Sequence, residues 1–139
     1  MTSSPFDGGQ VASSFRSGPR RGDDRRVVVA SVVVAAGFLL VAAAAALARA
    51  TGADALPPWL PLHLALAGGA STAISGVMPF FVAALAAGHP APVRLRVTSV
   101  ALVAIGAALV SVRGFAPSAD LVPALGGCVY LAGIGAVAL

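Results

Sequence analysis

The chain has 139 residues, of which 58% are hydrophobic and only 10% are charged. Soluble domains carry about 25% charged residues, and so short a chain has too small an interior to shield this much apolar surface from water. The composition therefore excludes an ordinary soluble domain. It also excludes disorder for most of the chain, because disordered segments are polar and highly charged. A small integral membrane protein is predicted.

The charged residues are nine arginines and five aspartates, which give a net charge of +4. Five of the arginines precede residue 27 and lie next to an apolar run. This placement favours contact with anionic lipid headgroups over binding of nucleic acid. We therefore expect the lipid bilayer to be a partner of the chain, and nucleic acid not to be one.

The first 26 residues differ in composition from the rest of the chain. Residues 1–26 are rich in Ser, Gly, Pro, Arg and Asp and have little apolar periodicity, so we predict a disordered, arginine-rich cytoplasmic tail. Residues 27–139 are predicted to form the transmembrane domain. Its helices are expected at about 27–48, 59–87, 96–113 and 121–139.

The first apolar run, 27–48, contains no charged residue. It is roughly 33 Å long as a helix, enough for a hydrocarbon core of about 30 Å. The sequence Ala48-Arg49-Ala50 is similar to a signal-peptide cleavage site. The apolar region of a signal peptide is only about 7–15 residues long, however, so a retained membrane helix is favoured.

The second run, 59–87, carries Trp59 at the expected headgroup level and Pro79 well inside it, where proline bends a helix. Small residues recur every four positions at Gly68, Thr72 and Gly76. Such a face lets another helix approach closely, and it also leaves room for a flat cofactor. Helix packing is the favoured interpretation.

The third run is short and depends on Arg96 and Arg113 extending to opposite interfaces. The fourth run contains Cys128, which we expect to be a small buried hydrophobic residue. The sequence stops within this run. Either the terminal carboxylate reaches the far interface or the sequence is a piece of a longer protein, and both alternatives stay open.

These runs predict an all-α protein, an integral membrane four-helix bundle with a disordered N-terminal tail. Cytoplasmic loops of membrane proteins carry an excess of arginine and lysine. Placing the N-terminus in the cytoplasm puts most arginines on that side: Arg16, Arg20, Arg21, Arg25, Arg26, Arg94 and Arg96, against Arg49 and Arg113 outside. A multi-pass protein of the cell membrane with a cytoplasmic N-terminus is therefore predicted.

His63 is the candidate for a functional residue. Ionisable groups at membrane depth are costly and often functional, and a neutral imidazole is a common axial haem ligand. Alternatively, His63 lies only roughly 6 Å inside Trp59 and bonds to interfacial water or a loop carbonyl. His89 is roughly 39 Å further along the helix axis, so the two histidines cannot share a metal, and His89 is expected to be an ordinary loop residue.

The segment from His63 to Phe81 (HLALAGGASTAISGVMPFF) resembles the second helix of actinobacterial membrane proteins related to haem–copper oxidase subunit I and NnrS-type proteins. It is also similar to the membrane part of copper nitrite reductase-like multicopper oxidases. The resemblance implies that His63 is an axial haem ligand, and so both a cofactor-binding and a metal-binding residue. It covers about 30 residues closely, and the rest of the chain only in hydropathy.

The chain departs from that pattern because a haem–copper centre needs several histidines on later helices, and this sequence has two in all. No catalytic residue is assigned, and the chain is not expected to be an enzyme on its own. The first expected function is a haem-associated respiratory-type membrane protein or its N-terminal part. The alternative is a non-catalytic anchor or accessory subunit that acts through helix packing, with other membrane subunits or a second copy as partner.

Overall fold

A computed structural model of the chain describes residues 21–86, 91–118 and 121–137. This part of the chain forms four helices and no strand: α1 (Arg21–Ala50), α2 (Leu60–Leu85), α3 (Val93–Phe115) and α4 (Leu121–Val137). The first three are long and apolar enough to cross a membrane, whereas α4 is shorter. The all-α prediction is confirmed for these residues.

Helix α1 begins six residues before the apolar run that predicted it. Residues 21–26 were expected to belong to the disordered tail, but they form the first turns of α1. Arginine is a good helix former, and hydropathy marks the part of a helix that fits lipid rather than the whole helix. Residues 1–20, for which disorder is also predicted, lie outside the described residues.

Helix α2 is composite. It is α-helical over Leu60–His63, π-helical over Leu64–Ala70 and α-helical again over Ser71–Leu85. The α-helix continues past Pro79 to its end. The departure from α-helical geometry therefore lies in the first half of α2.

The turn after α1 is built around Gly52, whose φ of 100° favours glycine. The Ala53 amide donates to the Ala48 carbonyl at 2.9 Å, and the Gly52 amide donates to the Arg49 carbonyl at 3.1 Å. This pair of bonds is the Schellman motif, which satisfies the last carbonyls of a helix. The Arg49 side chain also donates to the Leu56 carbonyl, which ties the following loop to the end of α1.

Consecutive helices pack antiparallel, as close approaches along their lengths show. Positions rise on one helix as they fall on the next: Ser31 with Gly76 and Phe38 with Gly68 for α1 and α2, Val100 with Gly76 and Gly114 with Leu60 for α2 and α3, and Val103 with Gly133 and Val110 with Gly126 for α3 and α4. The described helices thus form an up–down–up–down bundle. One end holds the starts of α1 and α3 with the ends of α2 and α4.

The apolar core is small for a chain this hydrophobic. A cluster of Ala42, Ala45, Leu60 and Leu64 joins α1 to the start of α2. Many larger apolar side chains lie on the outside instead, such as Leu40 at 72% and Leu85 at 86% exposed. An apolar exterior around a small-residue interior is the arrangement that lipid, rather than water, stabilises.

Candidate functional site

His63 lies at the end of the first α-helical turn of α2, one turn after Trp59. The two rings meet edge to face, with centroids 5.6 Å apart and planes at 81°. The imidazole is half-buried, and its Nε2 atom is buried with no hydrogen-bond partner among the described residues. A buried polar atom normally has a partner, so Nε2 is the atom of His63 to which a ligand role would fall.

The π-helical segment Leu64–Ala70 follows His63 directly. The Ser71 amide donates to the Leu66 carbonyl, five residues back. The Ser71 hydroxyl donates to the same carbonyl at 3.1 Å, and the Tyr130 hydroxyl of α4 donates to Ser71 Oγ at 2.7 Å. Segments of this kind are rare and often lie at functional sites. Here a side chain of α4 contacts Ser71, the residue at which the π-helical segment ends.

The small-residue face of α2 packs against α1. A Cβ atom added at Gly68 would collide with the Phe38 ring, and one added at Gly76 would collide with the Ser31 side chain. At Gly69 an added Cβ would lie 3.1 Å from the Leu39 side chain. The predicted close approach of another helix is therefore confirmed. This face is filled by α1 and leaves no room for a flat cofactor at these positions.

An apolar cleft of about 390 Å³ lies between α1 and α3, with Leu64 of α2 on its lining. Phe38 and Phe115 also line it. The hydroxyl of Ser111, another lining residue, donates to the Ala107 carbonyl of its own helix at 2.8 Å. His63 is not among the described residues that form this lining, so the cleft and the imidazole are separate features.

Arg96 and several hydroxyl groups form a second polar group, at the end of the bundle away from His63. The sequence analysis did not predict it. Arg96 was expected to extend to an interface, but its side chain is only 2% exposed. Ser31, Thr72, Ser75 and Ser99 are also buried. Ser99 Oγ donates to the Gly133 carbonyl of α4 at 2.8 Å. Polar groups from α1, α2 and α3 are thus enclosed by the helices.

The spacing along α3 could have revealed this. Ser99, Val103 and Gly106 follow Arg96 at helical intervals, and all are buried. Arg94 lies two residues away on another face and is exposed. A small-residue face that begins with an arginine therefore points to a buried arginine.

Cys128 is exposed on α4, so its expected burial in the protein interior is wrong. His89 lies outside the described residues. Within the described part of the chain, no group of three or more His, Cys, Asp or Glu side chains is arranged to hold a metal ion.

Comparison with known proteins gives no relative: no family model, no curated protein and no solved structure matches this chain.

Proposed function

We propose that the chain is a multi-pass protein of the cell membrane with its N-terminus in the cytoplasm. Three described helices have the length and apolarity to cross a bilayer. The antiparallel pairing supports the orientation, since Arg25, Arg26, Arg94 and Arg96 fall at one end of the bundle. Arg49 and Arg113 fall at the other, so the excess of positive charge marks the cytoplasmic end.

Within the membrane, the chain acts as a non-catalytic accessory module that joins other membrane subunits through helix packing. The observation that carries this proposal is the apolar exterior of the bundle, where large side chains such as Leu40 and Leu85 are exposed. The helices pack on each other through small residues, and large apolar side chains are left on the outside. Such an exterior suits both lipid and a partner helix.

Purification of the tagged full chain from its native membranes in a mild detergent tests this role. We expect one or more larger membrane subunits to co-purify in a fixed ratio. Because Cys128 is the one cysteine of the sequence and is exposed on α4, a thiol-directed crosslinker can capture a neighbour of that helix. The Cys128→Ser variant is the matched control. A stable lone monomer without crosslinked neighbours contradicts the proposal.

A second candidate function, haem association, is favoured by one observation: the buried, unpartnered Nε2 of His63 among the described residues. Imidazole nitrogen is a fitting axial donor to haem iron. The filled glycine face does not accept the macrocycle. Because Nε2 is itself enclosed, His63 would have to turn towards the outside of the bundle to hold haem. When bound, it would supply an iron centre for electron transfer.

An absorption spectrum tests this candidate. The full chain is expressed with haem supplied, and a Soret band is expected for the wild-type protein and for His89→Ala, but not for His63→Ala. His89→Ala is the matched control because it removes the other histidine. A wild-type protein without a Soret band contradicts haem binding, and a band that survives His63→Ala excludes His63 as the ligand.

A further inference from the structure

The buried Arg96 borders a small cavity of about 20 Å³ between α2, α3 and α4. Ser75 and Pro79 of α2, Ser99 of α3 and Ala136 of α4 also line it. A cavity of at least about 10–15 Å³ holds one water molecule when it is polar enough to offer two to four hydrogen bonds. The cavity is large enough for one water molecule, and Ser75, Ser99 and Arg96 supply polar atoms on a lining that is otherwise apolar.

Pro79 creates a need for a hydrogen-bond donor at this point. Because proline has no amide hydrogen, the carbonyl of Ser75, four residues earlier, lacks its usual helical donor. Ser75 and Pro79 line the cavity together with Arg96. In membrane helices, backbone groups freed by proline are satisfied by neighbouring helices or by ordered water.

We propose that this cavity binds a single water molecule that connects Arg96 to the Ser75 carbonyl, which Pro79 leaves without its helical donor. The water accepts a hydrogen bond from the guanidinium group and donates one to the Ser75 carbonyl, while the Ser75 hydroxyl offers a further contact. Arg96 also has other interactions within the chain, so the water is one of several partners. The site hydrates a charge that the helices enclose, and it replaces the bond that Pro79 removes.

A double-mutant cycle tests the connection. Pro79→Ala restores the amide donor to the Ser75 carbonyl, so the water loses one of its partners. Arg96→Gln is therefore expected to lower the folding equilibrium constant at least threefold more in the wild-type background than in the Pro79→Ala background. Unfolding of the full chain in mixed micelles of mild and denaturing detergent gives these constants. Arg94→Gln, an exposed neighbour, is the matched control and should give the same change in both backgrounds.

If Arg96→Gln does not fold, Arg96→Lys replaces it in the cycle. Equal effects of the arginine substitution in the two backgrounds overturn the proposal.

A second measurement detects the water itself. X-ray radiolytic labelling oxidises side chains that contact internal water, and we expect labelling of Pro79 and Leu95, which line the cavity. Ala136→Val fills the cavity and should lower that labelling at least fivefold. Absence of labelling in the wild-type protein overturns the proposal. Dependence on chloride would also overturn the proposal. If replacing chloride by gluconate lowers the stability of the wild-type protein but not that of Ala136→Val, the cavity holds an anion and not water.

Discussion

At the scale of single residues, some glycines approach a neighbouring backbone, others approach a neighbouring side chain, and others face open space. A Cβ atom at Gly106 would lie 2.5 Å from the backbone nitrogen of Tyr130, whereas one at Gly127 would meet no described atom within 4 Å beyond its own stretch of helix. A neighbouring backbone cannot move aside as the end of a flexible side chain can, so a methyl group at Gly106 must separate α3 from α4.

We therefore predict that Gly106→Ala destabilises the protein by about 1–3 kcal/mol, the usual cost of overpacking a closely packed site. Gly127→Ala should leave stability unchanged or raise it by up to about 1 kcal/mol, because alanine is the better helix former and its methyl group meets no neighbouring helix. Detergent-induced unfolding of the two variants measures the difference. Equal stability of the two variants would mean that α3 and α4 do not approach as closely as described.

His63 and Arg96 show what the sequence can predict about single side chains. His63 stands out because it is an ionisable residue in an apolar run. Its missing hydrogen-bond partner depends on which groups the fold brings near Nε2, and no local pattern contains that information. Arg96 lies at the edge of its run, where hydropathy favours an interface. Only its shared helical face with Ser99 and Gly106 indicates burial.

At the scale of elements, the four helices were predictable because each corresponds to an uncharged apolar run. The ends of the helices were less predictable. Helix α1 extends back to Arg21 and α3 extends from Val93 to Phe115, so both helices are longer than the apolar runs that predicted them. The π-helical segment Leu64–Ala70 had no signal in the sequence. It involves a hydrogen bond from Tyr130, which is 59 positions from Ser71 along the chain.

We predict that Tyr130→Phe loosens the π-helical segment while leaving the rest of α2 in place. The variant loses the hydroxyl that donates to Ser71 Oγ, and interhelical bonds of this kind contribute about 0.6 kcal/mol on average in membranes. Hydrogen–deuterium exchange should therefore become about threefold faster at residues 64–70 and stay unchanged at residues 78–85.

Ser99→Ala is a suitable comparison, because it removes the bond from α3 to Gly133 and does not touch the π-helical segment. Faster exchange at residues 64–70 in Ser99→Ala, but not in Tyr130→Phe, would contradict the assigned role of Tyr130.

At the scale of the whole molecule, polarity is distributed in two different ways. The exterior is apolar, with many large side chains exposed. The interior encloses polar groups: Arg96, Ser31, Ser75 and Ser99 lie in the half of the bundle where α1 and α3 begin, and Ser111 lies nearer the other end. The composition predicted the first property. The enclosure of polar groups could not be predicted from the composition, because it depends on how the helices pack around those groups.

The orientation of the bundle follows from the same distribution of charge, and it is open to a direct test. In a Cys128→Ser background, we predict that Ala55→Cys, in the loop between α1 and α2, reacts with a membrane-impermeant maleimide added to spheroplasts. Ala91→Cys, just before α3, should react only after the membrane is permeabilised. The reason is that arginines are retained on the cytoplasmic side, where Arg94 lies in the first turn of α3. Because both positions lie outside the helices, a difference in reactivity reports the side of the membrane. The reverse pattern of labelling would place the N-terminus outside and contradict the proposed topology.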